Sequence, residues 1–471
     1  MRKGRSVAAV VVLAAVVAGC GSSSKAGKGG GQPGEEGAAA AKPLAKLAVP
    51  AAYDPAKGWD ESLNWVPESV TTLPVTAVPG SDAVAVMQVA SSGYTVTARA
   101  TDSTRVLWRS APWNPPTPVE GAQGGPGEKA EIPDVTGVEQ DGHRYIVAYA
   151  HGLRGKDDLH KGTEVVRLAL YPAEAGGTAV KPVREIDVPV SASPGKVRVQ
   201  ASGGRLLVAW GEAGAYPSSS AAVDVATGKV IAYKDANQLL PQCAQAIACS
   251  SSRVIAATEE GPLVAMGGGG FGIPGRWFSD AVRPKDVDAK TGILGSWNGS
   301  VYGADAGNVL VGWHTGGTYG SDDNALWSVH DLRTGALKAR LACAQDVAND
   351  TRSTRDYAVV TSANGRYLAA GPVAFDLQRK QGICLKGDGN RKTVAVHSIR
   401  DDGTAYGVVE DQPADHDTAV IVGLNLKTAT GTSKVLGAGT EVPYQTTPRG
   451  SGVFVTRDED KNVRVSVRAG R

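Results

Sequence analysis

The chain has 471 residues, 42% of them apolar and 20% charged, with 60 glycines and a formal charge of +2. That is enough apolar material for a large core, which excludes a disordered class. A nearly neutral chain with no basic stripe offers no electrostatic footprint for nucleic acid.

In chain order, the first predicted element is a targeting segment. Arg2, Lys3 and Arg5 form a basic head, and Val7 to Ala18 is an unbroken run of twelve apolar residues. A membrane span needs roughly 20, whereas this length suits the core of a secretory signal. The basic residues are not a consecutive Arg pair, which favours the general secretory route. The run ends in Val17-Ala18-Gly19-Cys20. Small residues before a cysteine, directly after an apolar run, resemble the bacterial lipobox. The resemblance implies cleavage before Cys20, a lipid on its sulfur, and a lipid-anchored protein on the extracytoplasmic face of the cell membrane. Loss of the three basic residues takes the formal charge from +2 to −1. The heavy use of Ala, Gly, Val and Arg is similar to that of a GC-rich, actinobacterial-type source.

Residues 20–58 are rich in Gly, Ala, Ser and Lys, with Tyr53 the first aromatic after the signal. Such a stretch cannot bury enough surface to order itself and reads as a flexible tether. The folded domain is expected over 59–471, with 1–19 as the signal peptide. Apart from Cys20 there are four cysteines, Cys243, Cys249, Cys343 and Cys384. An even number in an exported chain favours disulfides. Three connectivities are possible; Cys243–Cys249 is favoured as a local pair and Cys343–Cys384 as a pair in neighbouring repeats. Their spacings fit no zinc pattern.

From about Ser62 onward, short strands alternate with Gly-containing turns, and no helical periodicity is present. The best repeat is a turn followed by a buried strand: PGSDAVAVMQV, DGHRYIVAY, GGRLLVAW, EEGPLVAM, DAGNVLVGW, ANGRYLAAG, DDGTAYGVV and RGSGVFVT. A period near 50 residues with four strand signals per period predicts an all-β fold, a β-propeller of four-stranded antiparallel blades. Eight units are counted, with seven as the runner-up. A pair of β-sandwiches would also use short strands and much glycine, but would not produce the repeat. The last unit has three strands, and Glu61 to Pro67 is expected to supply the fourth and close the ring.

A second phrase recurs as VDVATGKVIAY from Val223, VDAKTGILGSW from Val287 and HDLRTGALKAR from His330. Each is expected to be the hairpin between the third and fourth strands of a blade. Asp224, Asp288 and Asp331 would accept from turn amides, and Gly228, Gly292 and Gly335 would supply positive φ. These phrases resemble the quinoprotein-like, PQQ-type propeller repeat over residues 62 to 470. The enzyme branch of that superfamily carries a tryptophan-docking phrase in nearly every repeat and a calcium site. Here Trp297 alone follows a T-G at a comparable place, with Trp108 a looser match. A second relative in architecture is the propeller lipoprotein of the outer-membrane β-barrel assembly machine, which implies a scaffold.

The long insertions are read as connections between second and third strands, beginning at His151, Gly211, Gly267, His314 and Asp411. Loops lengthened on one face build a binding surface. The candidate ligand-face residues are Arg276, Trp277, Phe278, Trp313, His314, Tyr319 and Tyr216, cations beside aromatics of the kind recognition surfaces use. GGGGFG from Gly267 lacks the helix a phosphate loop needs. Asp415-His416-Asp417 and Asp322-Asp323 are too few for an oxygen-ligand metal site. No Gly-x-Ser-x-Gly elbow is present.

The expected function is a cell-envelope lipoprotein whose propeller is a non-catalytic binding or scaffold module for an envelope protein or cell-wall polysaccharide. Under that reading there are no catalytic residues, no metal and no cofactor. The alternative is an extracytoplasmic propeller enzyme, either quinone-dependent and dehydrogenase-like or a hydrolase or lyase. A carboxylate pair on the axis facing the long loops would favour the enzyme, and a flat aromatic patch across the third to fifth repeats the binder.

Overall fold

The computed structural model describes residues 44–471 except 71, 121–129, 193–196, 212–218, 246–250, 291–295, 316–324, 345–357, 389, 411–418 and 429–431. The unit Pro43–Arg471 is compact. It opens with strand β1 (Tyr53–Leu63). The first meander is β2 (Val75–Ala77), β3 (Ala83–Ala90), β4 (Gly93–Ala100) and β5 (Val106–Ser110). The second is β6 (Asp134–Gln140), β7 (His143–Arg154), β8 (Thr163–Pro172) and, after β9 (Gly177–Val180), β10 (Arg184–Pro189). The third is β11 (Val197–Ser202), β12 (Arg205–Trp210), β13 (Ser219–Val223) and β14 (Val230–Tyr233). The fourth is β15 (Arg253–Thr258), β16 (Gly261–Ala265), β17 (Phe271–Ile273) and β18 (Trp277–Phe278), followed by helix α1 (Ser279–Val282). The fifth is β19 (Ser300–Asp305), β20 (Asn308–His314), β21 (Ala325–Asp331) and β22 (Leu337–Ala342). The sixth is β23 (Val360–Thr361), β24 (Tyr367–Ala370), β25 (Val373–Asp376) and β26 (Gln381–Cys384). The seventh is β27 (Val394–Ile399), β28 (Thr404–Val409), β29 (Ile421–Asn425) and β30 (Thr432–Val435). β31 (Gln445–Thr446), β32 (Gly452–Arg457) and β33 (Val463–Gly470) make three strands of the last, and β1 pairs antiparallel on β33 as its fourth.

The first strands of successive meanders touch in order: β2 with β6, β6 with β11, β11 with β15, β15 with β19, β23 with β27, β27 with β31, and β31 with β2. Gly303 of β19 lies against Val359, the residue before β23. These strands therefore surround an axis, and the protein is an all-β propeller of four-stranded antiparallel sheets. The core sits between meanders. Val138, Val147 and Leu168 of the second pack on Leu206, Val208 and Val223 of the third. Similar clusters join every consecutive pair, ending with Trp59, Leu63 and Val465 of the last against Val75, Val84 and Val86 of the first. Because both faces of a sheet are covered, strands such as Leu206–Leu207–Val208–Ala209 are apolar without alternation.

Outer strands dock on the next meander by one recurring contact. Trp59 Nε1 donates to Ala100 O at 2.8 Å, Trp108 Nε1 to Ala173 O at 3.1 Å and Trp277 Nε1 to Arg333 O at 3.0 Å. Arg184 does the same to Ala226 O at 2.9 Å, and Arg379, in the turn before β26, to Lys427 O. The acceptor is each time a carbonyl at or beside the turn between third and fourth strands. Outer edges are covered in two places. β9 pairs parallel with β5 of the preceding meander, and β22 meets β26 at Arg340 and Gln381. The Cys343–Cys384 disulfide staples the latter pair across 41 residues of sequence. Cys243 is also disulfide-bonded; its expected partner Cys249 lies outside the described residues.

Three expectations are corrected. The closing strand is Tyr53–Leu63, not Glu61 to Pro67, so it crosses the expected tether boundary at residue 59. Ordered packing begins earlier still: Ala45 N donates to Asp60 at 2.6 Å, Arg468 to Ala45 O at 3.0 Å, and Leu47 and Val49 lie against Tyr53, Tyr406 and Phe454. The phrase at Val287 is not a hairpin within a sheet. It falls between β18 and β19, and its Thr291 and Gly292 lie outside the described residues. The other two copies fold as expected, with the Asp224 and Asp331 carboxylates accepting from Thr227 and Thr334 N at 2.8 and 2.9 Å.

Candidate functional site: the axial mouth on the long-connection face

Meander topology puts the turns between first and second, and between third and fourth, strands on one face. Most of those turns are short: 141–142, 203–204, 259–260 and 306–307 hold two residues each, and the others hold no more than six apart from 173–183, which contains β9. The strand ends at the opposite face are joined, between second and third strands, by 155–162, 211–218, 315–324 and 410–420, and by the shorter 91–92, 266–270, 371–372 and 458–462. That face also carries the longer links from one meander to the next, 111–133, 234–252, 279–299 and 343–359. The sequence reading missed that these inter-meander links are the longest.

The stretch from Gly267 is not one long loop. Residues 271–273 and 277–278 are strands β17 and β18, too short and too glycine-rich to show in the sequence pattern. Arg276 is exposed at the hairpin between them, on the short-turn face. Trp277 docks on the fifth meander, and Phe278 is buried with its edge toward Trp297 at 5.1 Å. Trp313 is fully buried between Phe271 and His330, and its Nε1 donates to Ser328 Oγ at 2.6 Å. Of the expected aromatic patch, Phe278 and Trp313 are thus interior packing and Trp277 is a contact between meanders. His314 ends β20 half-buried, its backbone paired with the Asn298 side chain. Tyr216, Tyr319, Cys20 and the Asp322-Asp323 and Asp415-His416-Asp417 groups lie outside the described residues.

Ser328 Oγ lies 2.7 Å from His330 Nε2, while His330 Nδ1 is 2.9 Å from Gly335 O. Burial pushes the His330 pKa down to about 4, partly offset by the Gly335 carbonyl. Both side chains are at 0% exposure, so no substrate reaches this serine. The pair anchors a hairpin.

Polar groups gather instead at the axial end of the second meander. Asp134 opens β6 and is the register partner of Tyr149 in β7. Tyr149 donates its phenol to Asp134 Oδ2 at 2.8 Å, and Val135 N donates to Oδ1 at 2.6 Å. The Thr72 hydroxyl, just before β2, is a hydrogen-bonding neighbour of both this carboxylate and the Tyr149 phenol. Burial pushes the Asp134 pKa up to about 6 against those hydrogen bonds. Burial, then the charge of Asp134, drives the Tyr149 phenol well above its usual value. Tyr444, just before β31 and 44% exposed, is raised by burial and by the same charge. Three meanders therefore contribute to one cluster on the long-connection face.

Beside it, His151 Nδ1 is 3.0 Å from Glu131 and Nε2 is 2.8 Å from Glu164. Burial lowers the imidazole pKa, but the two glutamates more than offset this and the net shift is upward. The sequence held one signal for both groups. Tyr149 and His151 alternate with Ala148 and Ala150, polar positions at period two inside an apolar strand.

No protein-family model matches the chain, and no curated protein matches it. Among solved structures it is similar to a family 25 polysaccharide lyase, an ulvan lyase, at 9% identity and TM-score 0.39, covering 88% of this chain and 95% of that one. It is also similar to the Dos1 propeller, at 11% identity and TM-score 0.37, with 88% and 94% covered. TolB from Acinetobacter baumannii follows at 13% identity and TM-score 0.27, with 82% and 80% covered. Likenesses this distant say nothing about the activity of this chain.

Proposed function

We propose that the chain is a bacterial envelope lipoprotein, held at the extracytoplasmic membrane face by lipid on Cys20 and a tether. Its propeller is an eight-bladed ring of the PQQ-like kind that acts as a non-catalytic recognition or scaffold module. The partner is an envelope protein or a cell-wall polysaccharide, met by the face bearing the long connections. The carrying observation is the asymmetry of the sheet connections: turns of two to six residues at one end, apart from 173–183, against connections that reach 17 to 23 residues in four places at the other. A scaffold tolerates long connections where they contact a ligand. The docking tryptophans Trp59, Trp108 and Trp277 support the PQQ-like assignment of the fold and require no quinone.

The test is capture. The full chain, immobilised, is exposed to detergent and cell-wall extracts of the source organism. A variant with Tyr216, Tyr319 and Tyr444 changed to Ala is expected to lose at least tenfold in partner recovery. Arg276→Ala, at the opposite face, is expected to recover as much as the parent. Equal loss in both variants, or loss in Arg276→Ala alone, overturns the choice of face.

A second reading, an acid–base hydrolase or lyase, is favoured by one observation, the carboxyl of Asp134 held up to about pH 6 beside Tyr149. It predicts turnover of a wall polysaccharide that Asp134→Asn abolishes.

A further inference from the structure

We propose that His151 is a proton-operated clasp: as an imidazolium it ties the connection that enters the second meander and the one that leaves it to β7, and it drops the first when it gives up its proton. The ring lies between two carboxylates that come from different segments. Its Nδ1 is 3.0 Å from Glu131, in the connection 111–133, and its Nε2 is 2.8 Å from Glu164, in β8. Glu164 reaches further, since its Oε1 also accepts from Ala192 N at 3.0 Å, just past β10. The entering connection meets the same end of β7 at Thr117, whose N donates to Leu153 O at 3.2 Å and whose O accepts from Leu153 N at 2.7 Å.

Two such contacts need two N–H donors. A neutral imidazole has one N–H and one lone pair, so it donates to one carboxylate and turns the lone pair on the other. An imidazolium donates to both, through charge-assisted bonds. The His151 side chain is 5% exposed, which leaves water little access to replace a lost bond. Glu164 keeps Ala192 N as a second donor, whereas the Glu131 carboxylate has His151 alone among the described residues, so Glu131 is the arm released. The other titratable groups around the ring, among the described residues, are engaged elsewhere. On β7, Tyr149 bonds to Asp134 of β6, and Arg154 pairs with Asp187 of β10 at 2.6 Å. On β8, Arg167 also pairs with Asp187, at 2.8 Å. The neighbouring β11 and β12 cover the side that Tyr149 and His151 share with Val197, Val199 and Trp210, while Arg198 alternates away. Burial lowers the His151 pKa and the two glutamates raise it by more, so the folded value lies above the ordinary 6.5. The tie is therefore complete below pH 6.5 and is lost as pH rises through the folded value.

The clasp stands apart from the recognition reading, because it concerns how this face is held and not what it meets. The experiment is hydrogen–deuterium exchange of the full chain in detergent at pH 5.5, 7.5 and 9, each rate divided by the intrinsic rate at that pH. Magnetic resonance titration of the histidine ring carbons accompanies it. Protection of the Thr117 and Leu153 amides is expected to fall at least fivefold between pH 5.5 and 9, while Ala192 stays protected and the His151 ring titrates above pH 6.5. Glu131→Gln keeps the shape and removes the need for the second proton, because its amide N–H donates to a neutral Nδ1 while Nε2–H donates to Glu164. This variant is expected to hold its protection at every pH, with a His151 ring that titrates lower than in the parent. Glu164→Gln carries the same test with the two nitrogens exchanged if the first variant misfolds. Equal protection of the parent at pH 5.5 and 9, the same fall in parent and variant, or a His151 ring that titrates at or below pH 6.5 overturns the inference. Partner capture enters none of these outcomes, so failure of the recognition reading leaves the clasp untouched.

Discussion

At the scale of single residues, the hairpin between β21 and β22 shows how a phrase becomes a contact. Asp331 accepts from the Arg333 and Thr334 amides at 3.2 and 2.9 Å, which bends the chain back. Gly335 then takes φ +72°, and its missing Cβ leaves room for the Trp277 ring, whose Cδ2 would sit 2.8 Å from it. Gly335→Ala meets both strain and a rigid ring, so it is expected to cost about 1–3 kcal/mol in urea melts. The same hairpin is held from inside by His330. Its folded pKa of about 4 lies below the unfolded value of about 6.5, so the unfolded chain binds the proton more readily. The stability that neutral His330 confers is complete above pH 6.5 and is lost as pH falls toward 4, by roughly 3 kcal/mol. His330→Gln is expected to flatten the stability curve by about that amount between pH 6.5 and 4, read by urea melts at each pH. The turn residues were legible because their chemistry is local. Trp313 and Phe278 were not, because a tryptophan near a strand end reads alike whether it faces solvent or the next sheet.

Among the elements, the predicted turns between first and second strands fell at or beside the glycines that mark them, and the strands on either side followed. The short strands β17 and β18 were lost in a glycine-rich stretch, which moved Arg276 to the wrong face. The closing strand was displaced because its pairing partner is 400 residues away and its own sequence, YDPAKGWDESL, carries a proline and a glycine. β1 pairs with β33 from Tyr53 to Leu63, and Tyr53 is fully buried against Tyr406 and Phe454. A chain beginning at residue 59 loses that aromatic and the contacts of residues 45–52. It is expected to be at least about 3 kcal/mol less stable than one beginning at residue 44, measured by paired denaturant melts. Equal stability would show that the N-terminal part of β1 does not close the ring. The Cys343–Cys384 staple acts on the same scale; closing a loop of 41 residues is worth about 4 kcal/mol.

For the whole molecule, each sheet buries both faces against its neighbours, and the last joins the first through β1, so the strands of the ring ends are not left as open edges. A closed ring of this kind separates stability from recognition: packing lies between sheets, while the connections at one end are free to vary. The repeat period made the ring legible from the sequence. The axial cluster was hardly legible, since Thr72, Asp134, Tyr149 and Tyr444 are brought together only by closure across three meanders. The central claim is that the long-connection face is the one that works. It is tested most directly by hydrogen–deuterium exchange of the full chain, with and without a saturating captured partner. Protection is predicted in 155–162, 234–252, 279–299 and 436–444, with the hairpins at 224–229, 274–276 and 332–336 unchanged. Protection confined to those hairpins would contradict it.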